Sequence, residues 1–335
     1  RCPAASPQAL EDHYSPSRWS PRLDRDTIID AHLAVTAAGA DGGAGTGVRS
    51  VPRRRAAPPL PAGTERARAS GQTLLHVPYG DGDGEKLDIY FPTEPCDSEC
   101  RGGGDGRGRG PGGHRLTPLC CAAFPALVYI HGGYWQCLSK DDSGFAAPPL
   151  VSRGVAVVAV GYDIAPKGRM DTMVLQVRRS LAFLQERYPS IRGIYLCGHS
   201  AGAHLAAMVL STDWTEFRVV PDIKGAVLVS GLYDLEPILH TYVNDALSMS
   251  REVAQRNSPV RLVTPAALAA CEVLVAGRWS WAPCWAPLSP QALRAAGWSV
   301  SLLDLAAVDH FDVIERLSED SYVLTQVGRR AVPGR

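Results

Sequence analysis

Gly193-Ile194-Tyr195-Leu196-Cys197-Gly198-His199-Ser200-Ala201-Gly202 is an apolar run that ends in a G-x-S-x-G pentapeptide and passes at once into the alanine-rich stretch Ala201 to Leu210. The pattern predicts a strand, a sharp turn and a helix, with the serine on the turn. A serine so placed is pushed out of the sheet edge with its Oγ exposed, and the flanking glycines remove side chains that would clash where the backbone folds back. Ser200 is the candidate nucleophile. With 33 glycines among 335 residues the pentapeptide also arises by chance, so its weight rests on its company.

Upstream, Phe124 to Ile130 reads as a buried strand running into His131-Gly132-Gly133-Tyr134-Trp135, a loop of the H-G-G type that presents backbone N–H groups to an oxyanion. Downstream, Ser299 to Leu305 reads as another strand, and Asp309-His310-Phe311 follows it just before the amphipathic stretch Phe311 to Leu317. A histidine after the nucleophile and near the C-terminus has the chain order of an α/β hydrolase.

The elements between agree with that class. Thr73 to Val77 and Lys86 to Phe91 alternate and are joined by Tyr79-Gly80-Asp81-Gly82-Asp83-Gly84, which predicts an antiparallel hairpin at the sheet's start. Then strand and helix alternate: Ala126 to Ile130, Val155 to Val160, a helix from Met170 to Tyr188, Ile194 to Cys197, the helix after Ser200, Gly225 to Ser230 and Glu272 to Ala276. On the long helix Met170, Met173, Val174, Val177, Leu181 and Leu184 recur at spacings of three and four, so they belong to the core and are not a ligand box. The expected fold is a mainly parallel sheet with helices on both faces and its site at the strand C-terminal ends.

With 45% hydrophobic residues, 20% charged and a net charge of zero, the chain can bury a large core and has no global attraction to nucleic acid or an anionic membrane. A soluble protein is expected, since no apolar run nears the ~20 residues that span a bilayer. Nine cysteines are scattered without zinc-knuckle spacing and read as reduced thiols, with Cys197 and Cys271 packed in strands. The expected organisation is an N-terminal segment over 1–70 and a hydrolase domain over 71–328. Two stretches rich in Gly, Pro and Arg, about 37–63 and 95–118, lack periodicity and read as disordered insertions. Arg53-Arg54-Arg55 and the Gly-Arg repeats have no interleaved aromatic residues, which favours a solvated loop over a nucleic-acid contact.

At finer grain the chain resembles the kynurenine formamidase (arylformamidase) family. The resemblance is carried by Tyr14-Ser15-Pro16-Ser17-Arg18-Trp19, Leu74 to Pro92, His131 to Trp135, Ile164-Ala165-Pro166-Lys167-Gly168, Gly193 to Met208, Leu228 to Pro237, Gln255 to Pro259 and Asp309-His310-Phe311. It implies hydrolysis of the small molecule N-formyl-L-kynurenine to L-kynurenine and formate, without metal or organic cofactor, in a cytosolic or nuclear protein that is often a homodimer. It places Ser200 as nucleophile, His310 as general base and His131 to Trp135 as the oxyanion loop. Backbone N–H groups of Gly132, Gly133 and Ala201 would hold the oxyanion, and Tyr134 and Trp135 would either wall the substrate's ring or only pack the loop. His199, His204 and His76 are expected to be structural.

One departure matters. The family carries its triad aspartate in a short G-x-x-D pattern after the strand ending near Ala276, and this chain reads Gly277-Arg278-Trp279-Ser280 there. Segment 278–298 is atypical throughout, with Trp281-Ala282-Pro283-Cys284-Trp285. Loss of the triad carboxylate costs about 10⁴ in kcat, or ~5 kcal/mol. Asp234, in Gly231-Leu232-Tyr233-Asp234, is the substitute acid that sequence offers, against a role as a helix cap; Asp309 and Asp304 are too local. Two rival readings remain: a carboxylesterase of the hormone-sensitive-lipase type, separated by its ester-to-formamide turnover ratio, and a silent hydrolase-fold binding protein, separated by a fluorophosphonate probe of Ser200.

Overall fold

The computed structural model describes residues 15, 32, 63–69, 71–92, 123–262, 271–277, 290–295, 298–305 and 308–330. The stretches 37–62 and 95–118, and Ser280 with most of 278–298, lie outside the described residues.

Eight strands form one sheet in the order β1-β2-β4-β3-β5-β6-β7-β8. These are β1 (Thr73–Pro78), β2 (Lys86–Tyr90), β3 (Phe124–Ile130), β4 (Ala156–Val160), β5 (Ile191–His199), β6 (Ile223–Val229), β7 (Glu272–Gly277) and β8 (Ser299–Asp304). β1 pairs antiparallel with β2, and β2 with β4; every later pairing is parallel. The predicted hairpin is therefore the antiparallel edge of a parallel sheet.

Both faces of the sheet are covered, and so its strands read as unbroken apolar runs. Successive side chains alternate between two cores. Val128, Ile130, Val158, Ile194, Leu196, Ala226 and Leu228 face one. Leu127, Tyr129, Val157, Tyr195, Cys197 and Val229 face the other.

The helices used below are α1 (Gly63–Ala69), α2 (Met170–Arg187), α3 (Ala201–Leu210), α4 (Asp312–Glu315) and α5 (Val323–Arg330). α2 places the whole predicted stripe from Met170 to Leu184 in the first core, with Met173, Val177, Leu181 and Leu184 fully buried. Each such side chain contributes about 1.5–3 kcal/mol of burial. The helix ends at Arg187 because Pro189 cannot continue it. The second core is closed by Phe145, Leu150, Val313, Ile314, Leu317, Tyr322 and Leu324.

Two boundaries differ from the sequence reading. β5 extends from Ile191 to His199 rather than from Ile194 to Cys197, because its register with β3 continues to Gly198 and with β6 to His199. Folded structure also starts before residue 71. α1 begins at Gly63, and Thr64 Oγ1 accepts the Gly144 N–H at 3.0 Å, so the first low-complexity stretch ends in a docked helix. Among the described residues no helix is long and apolar enough to cross a membrane.

Candidate active site

β5 ends at His199 and α3 begins at Ala201, which leaves Ser200 alone to make the turn, at φ 55° and ψ −118°. Left-handed backbone is strained for a residue with a Cβ and persists only where the surroundings hold it. Here they do. The Ser200 N–H donates to the Val229 carbonyl on β6 at 2.8 Å, and its carbonyl accepts from Ala203 and His204 at 3.1 and 3.2 Å. A Cβ on Gly202 would stand 2.0 Å from the Ile130 carbonyl, and one on Gly198 would stand 2.3 Å from the Gly202 carbonyl. Both glycines of the pentapeptide are thus imposed by backbone packing.

The H-G-G loop leaves the C-terminal end of β3, next door. A Cβ on Gly132 would come within 3.2 Å of the Ser200 Cβ and 2.8 Å of the His199 carbonyl. Gly133 sits at φ 88°, and its carbonyl is turned into the loop, accepting from Gln136 and Cys137 at 2.9 and 3.1 Å. Among the described residues the N–H groups of Gly132, Gly133 and Ala201 donate no hydrogen bond. Buried amides normally find acceptors, and donors left over beside a serine are of the kind that can receive negative charge.

His131 anchors the loop. Its ring stacks on Tyr162 at 4.3 Å, and Tyr162 Oη donates to the His131 carbonyl at 3.0 Å. Burial pushes the His131 imidazole down to about 4. Trp135 is fully buried, with Nε1 donating to His204 Nδ1 at 3.3 Å, so it packs the loop and does not wall a pocket. His204 Nε2 donates in turn to the Asn257 carbonyl at 2.7 Å, which makes it a satisfied core histidine. Tyr134 is half-buried at φ 50°.

β8 delivers His310 to the same place. His199 Nε2 lies 2.8 Å from the His310 carbonyl, which can only accept, so that nitrogen carries the proton. The two rings stand 4.6 Å apart. The residue before the nucleophile thereby ties the histidine turn to the elbow. Asp309 Oδ1 accepts from the N–H groups of Phe311 and Asp312 at 2.8 and 2.7 Å and caps α4, in keeping with its reading as local. Burial first and the neighbouring His32 second hold the His310 imidazole down, to about 3, against an opposing pull from Asp309. His199 is held well below the usual histidine range, mainly by burial.

Asp234 is half-buried, and its Oδ1 accepts the Glu236 N–H at 3.1 Å in a local turn; the N-cap of the short helix Pro237–His240 is Glu236, not Asp234. His76, Asp88 and Asp141 are near enough to share a metal ion, but Lys140 Nζ already lies 2.7 Å from His76 Nδ1 and 2.9 Å from each carboxylate. An ammonium group fills the cation position.

Three features escaped the sequence. Ser230 takes φ 47° at the end of β6, with its N–H on the Ala276 carbonyl at 2.8 Å. Lys140 is buried in the network just described. His32 reaches the site from the N-terminal segment, 6.5 Å ring to ring from His199. The positive φ at Ser230 leaves no trace in residue type, and the other two are contacts between distant parts of the chain.

A parallel sheet with an antiparallel start, a strained serine at a strand-to-helix turn, free loop amides and a histidine after the last strand define an α/β hydrolase. A family model for the alpha/beta hydrolase fold matches residues 127–289. The chain is 47% identical to a kynurenine formamidase of Danio rerio over 96% of its length and 95% of that protein. It is 48% identical to a kynurenine formamidase of Salmo salar, over 95% of this chain and 94% of that one. It belongs to the kynurenine formamidase family. A solved structure of a proposed thioesterase from Silicibacter sp. shares the fold, with a TM-score of 0.65 at 22% identity over 95% of this chain and 98% of that one.

Proposed function

We propose that this chain is a serine hydrolase of tryptophan catabolism that cleaves N-formyl-L-kynurenine to L-kynurenine and formate. The observation that carries the reading is the convergence of Ser200, the unspent amides of Gly132, Gly133 and Ala201, and the His310 turn tied to His199. The relatives in Danio rerio and Salmo salar, both kynurenine formamidases, point to the substrate.

In this mechanism His310 takes the proton from Ser200 as Oγ attacks the formyl carbon. The developing oxyanion faces the three amides, at about 3 kcal/mol per donor. Collapse expels the aniline nitrogen, which receives the proton back from His310. The formyl-enzyme is then attacked by water, again with His310 as base, and formate leaves. Burial first and His32 second keep the imidazole in its unprotonated form across the neutral range, the form a general base needs, while making it a weak base.

The family resemblance puts the triad acid at the position of Ser280. Serine there supplies no carboxylate from that position, and loss of a triad carboxylate costs about 10⁴ in kcat. Asp234 spends its carboxylate on its own turn and is assigned no part in the triad. A cytosolic or nuclear setting and a homodimer belong to the same proposal, and light scattering tests the dimer.

Hydrolysis of N-formyl-L-kynurenine by the chain and its Ser200→Ala and Ser280→Asp variants is the test. Ser200→Ala is expected to abolish turnover, and Ser280→Asp to raise kcat by up to about 10⁴. A fully active parent left unchanged by Ser280→Asp removes the account of the acid. No turnover by either the parent or Ser280→Asp removes the formamidase reading.

A further inference from the structure

One buried polar contact reaches the histidine turn from almost the whole length of the chain away. His32 Nδ1 lies 2.9 Å from Glu315 Oε1, and the two side chains are 7% and 8% exposed. Glu315 closes α4, five residues beyond His310. The His32 ring stands 5.1 Å from Phe311 and 6.5 Å from His199. Those two rings are the ones that flank His310: Phe311 meets it edge-on at 5.5 Å, and His199 meets it at 4.6 Å while holding its carbonyl. His32 thus braces both neighbours of the candidate base, and Glu315 fixes the brace to the helix that the base introduces.

A polar pair in this place calls for a reason. Taking an imidazole and a carboxylate out of water is costly, and an apolar pair of the same volume would avoid that cost. What an apolar pair lacks is direction. The hydrogen bond sets the rotation of the His32 ring and hence the wall that Phe311 and His199 lean on. Catalysis is sensitive to such placement, since a shift of about 1 Å in a reacting group costs on the order of 10²-fold in rate.

We propose that His32, held by Glu315, is a positioning residue for His310, so that a residue far N-terminal to the sheet is a working part of the active site. The inference rests on Ser200 and His310 being nucleophile and base. Among the described residues the titratable groups that face His310 include His199 from β5, Asp309 from its own turn, and His32 with Glu315 behind it. Charge on His32 disfavours charge on His310, so losing His32 raises the proton affinity of His310 and moves the acid limb of its activity to higher pH. Loss of a space-filler would also admit water in His32→Ala and relieve the burial of His310, so the limb of His32→Asn, which keeps most of the volume, is the discriminating one.

The test uses the full chain and its His32→Ala and His32→Asn variants. It follows the second-order rate of fluorophosphonate labelling at Ser200 across pH, with kcat and KM for N-formyl-L-kynurenine alongside. His32→Ala is expected to slow labelling and kcat at least tenfold with KM within twofold. His32→Asn, whose amide N–H can take the place of Nδ1–H, is expected to recover to within threefold of the parent, and both variants to show the raised limb. Labelling of His32→Ala within twofold of the parent overturns the inference, as does an asparagine variant no faster than alanine with an unmoved limb. Should the alanine variant not fold, the asparagine variant decides alone: a raised limb at near-parent rate supports the proposal, and an unmoved limb overturns it. A parent not labelled at Ser200 overturns the catalytic reading itself, a result distinct from either.

Discussion

At the scale of single residues, the elbow is held by backbone packing more than by side chains. Ser200 keeps its left-handed conformation because Gly198 and Gly202 let β3 and α3 approach to a distance that no Cβ fits. Gly202→Ala is therefore expected to lower stability by at least about 3 kcal/mol, since backbone must shift to admit the methyl group. Gly154→Ala is the contrast: φ is 81°, yet nothing lies within 4 Å of the added atom, so it costs only the left-handed penalty of about 1–2 kcal/mol. Urea denaturation of the two variants checks the difference. The elbow turn at Ser200 and the left-handed Gly133 were legible in sequence because sharp turns restrict residue type locally, whereas His310 was singled out by its place in chain order. The left-handed Ser230 was not legible, because serine is compatible with many backbones.

At the scale of elements, sequence period served well where one face of an element meets one core. The α2 stripe is buried as its spacing predicts, while Leu175 is 37% exposed on the other side. It served poorly where elements meet through charge. Lys140 follows the H-G-G loop, yet its partners lie on β1, β2 and α1's contact: His76, the fully buried Asp88, and Asp141, which Arg68 of α1 also reaches at 2.9 Å. No periodicity announces such a network, for its members are brought together only by the hairpin and the loop folding onto each other. Removing one partner of a buried pair leaves the other charge uncompensated, so Lys140→Ala is expected to cost about 3–5 kcal/mol. In the background of Asp88→Asn the same change should cost less, and a double-mutant cycle by urea denaturation measures the coupling.

At the scale of the whole molecule, His131, His199 and His204 are buried on different elements and all held below the usual histidine value by desolvation. The sign follows from that direction. Below about pH 6.5 the unfolded chain takes up protons that the folded chain refuses, so stability falls as pH falls. Each histidine adds a slope of up to about 1.4 kcal/mol per pH unit between its unfolded and folded values. Melting temperature followed from neutral pH to about pH 4.5 should decline steadily, and His204→Gln should flatten the decline. A flat profile would mean that these rings are not neutral in the fold.

The amino-acid sequence by itself determined the alternation of strands and helices, the antiparallel start, the elbow and the loop, because each depends on residues within one turn or one strand of each other. The tertiary structure alone decided that Trp135 goes into the core, that His199 holds the His310 carbonyl, and that His32 comes to lie against Phe311. Those contacts join residues 69, 111 and 279 positions apart in chain order. The first of these is the Trp135 bond to His204. Their partners are selected by the shape of a closed core, which no local propensity encodes.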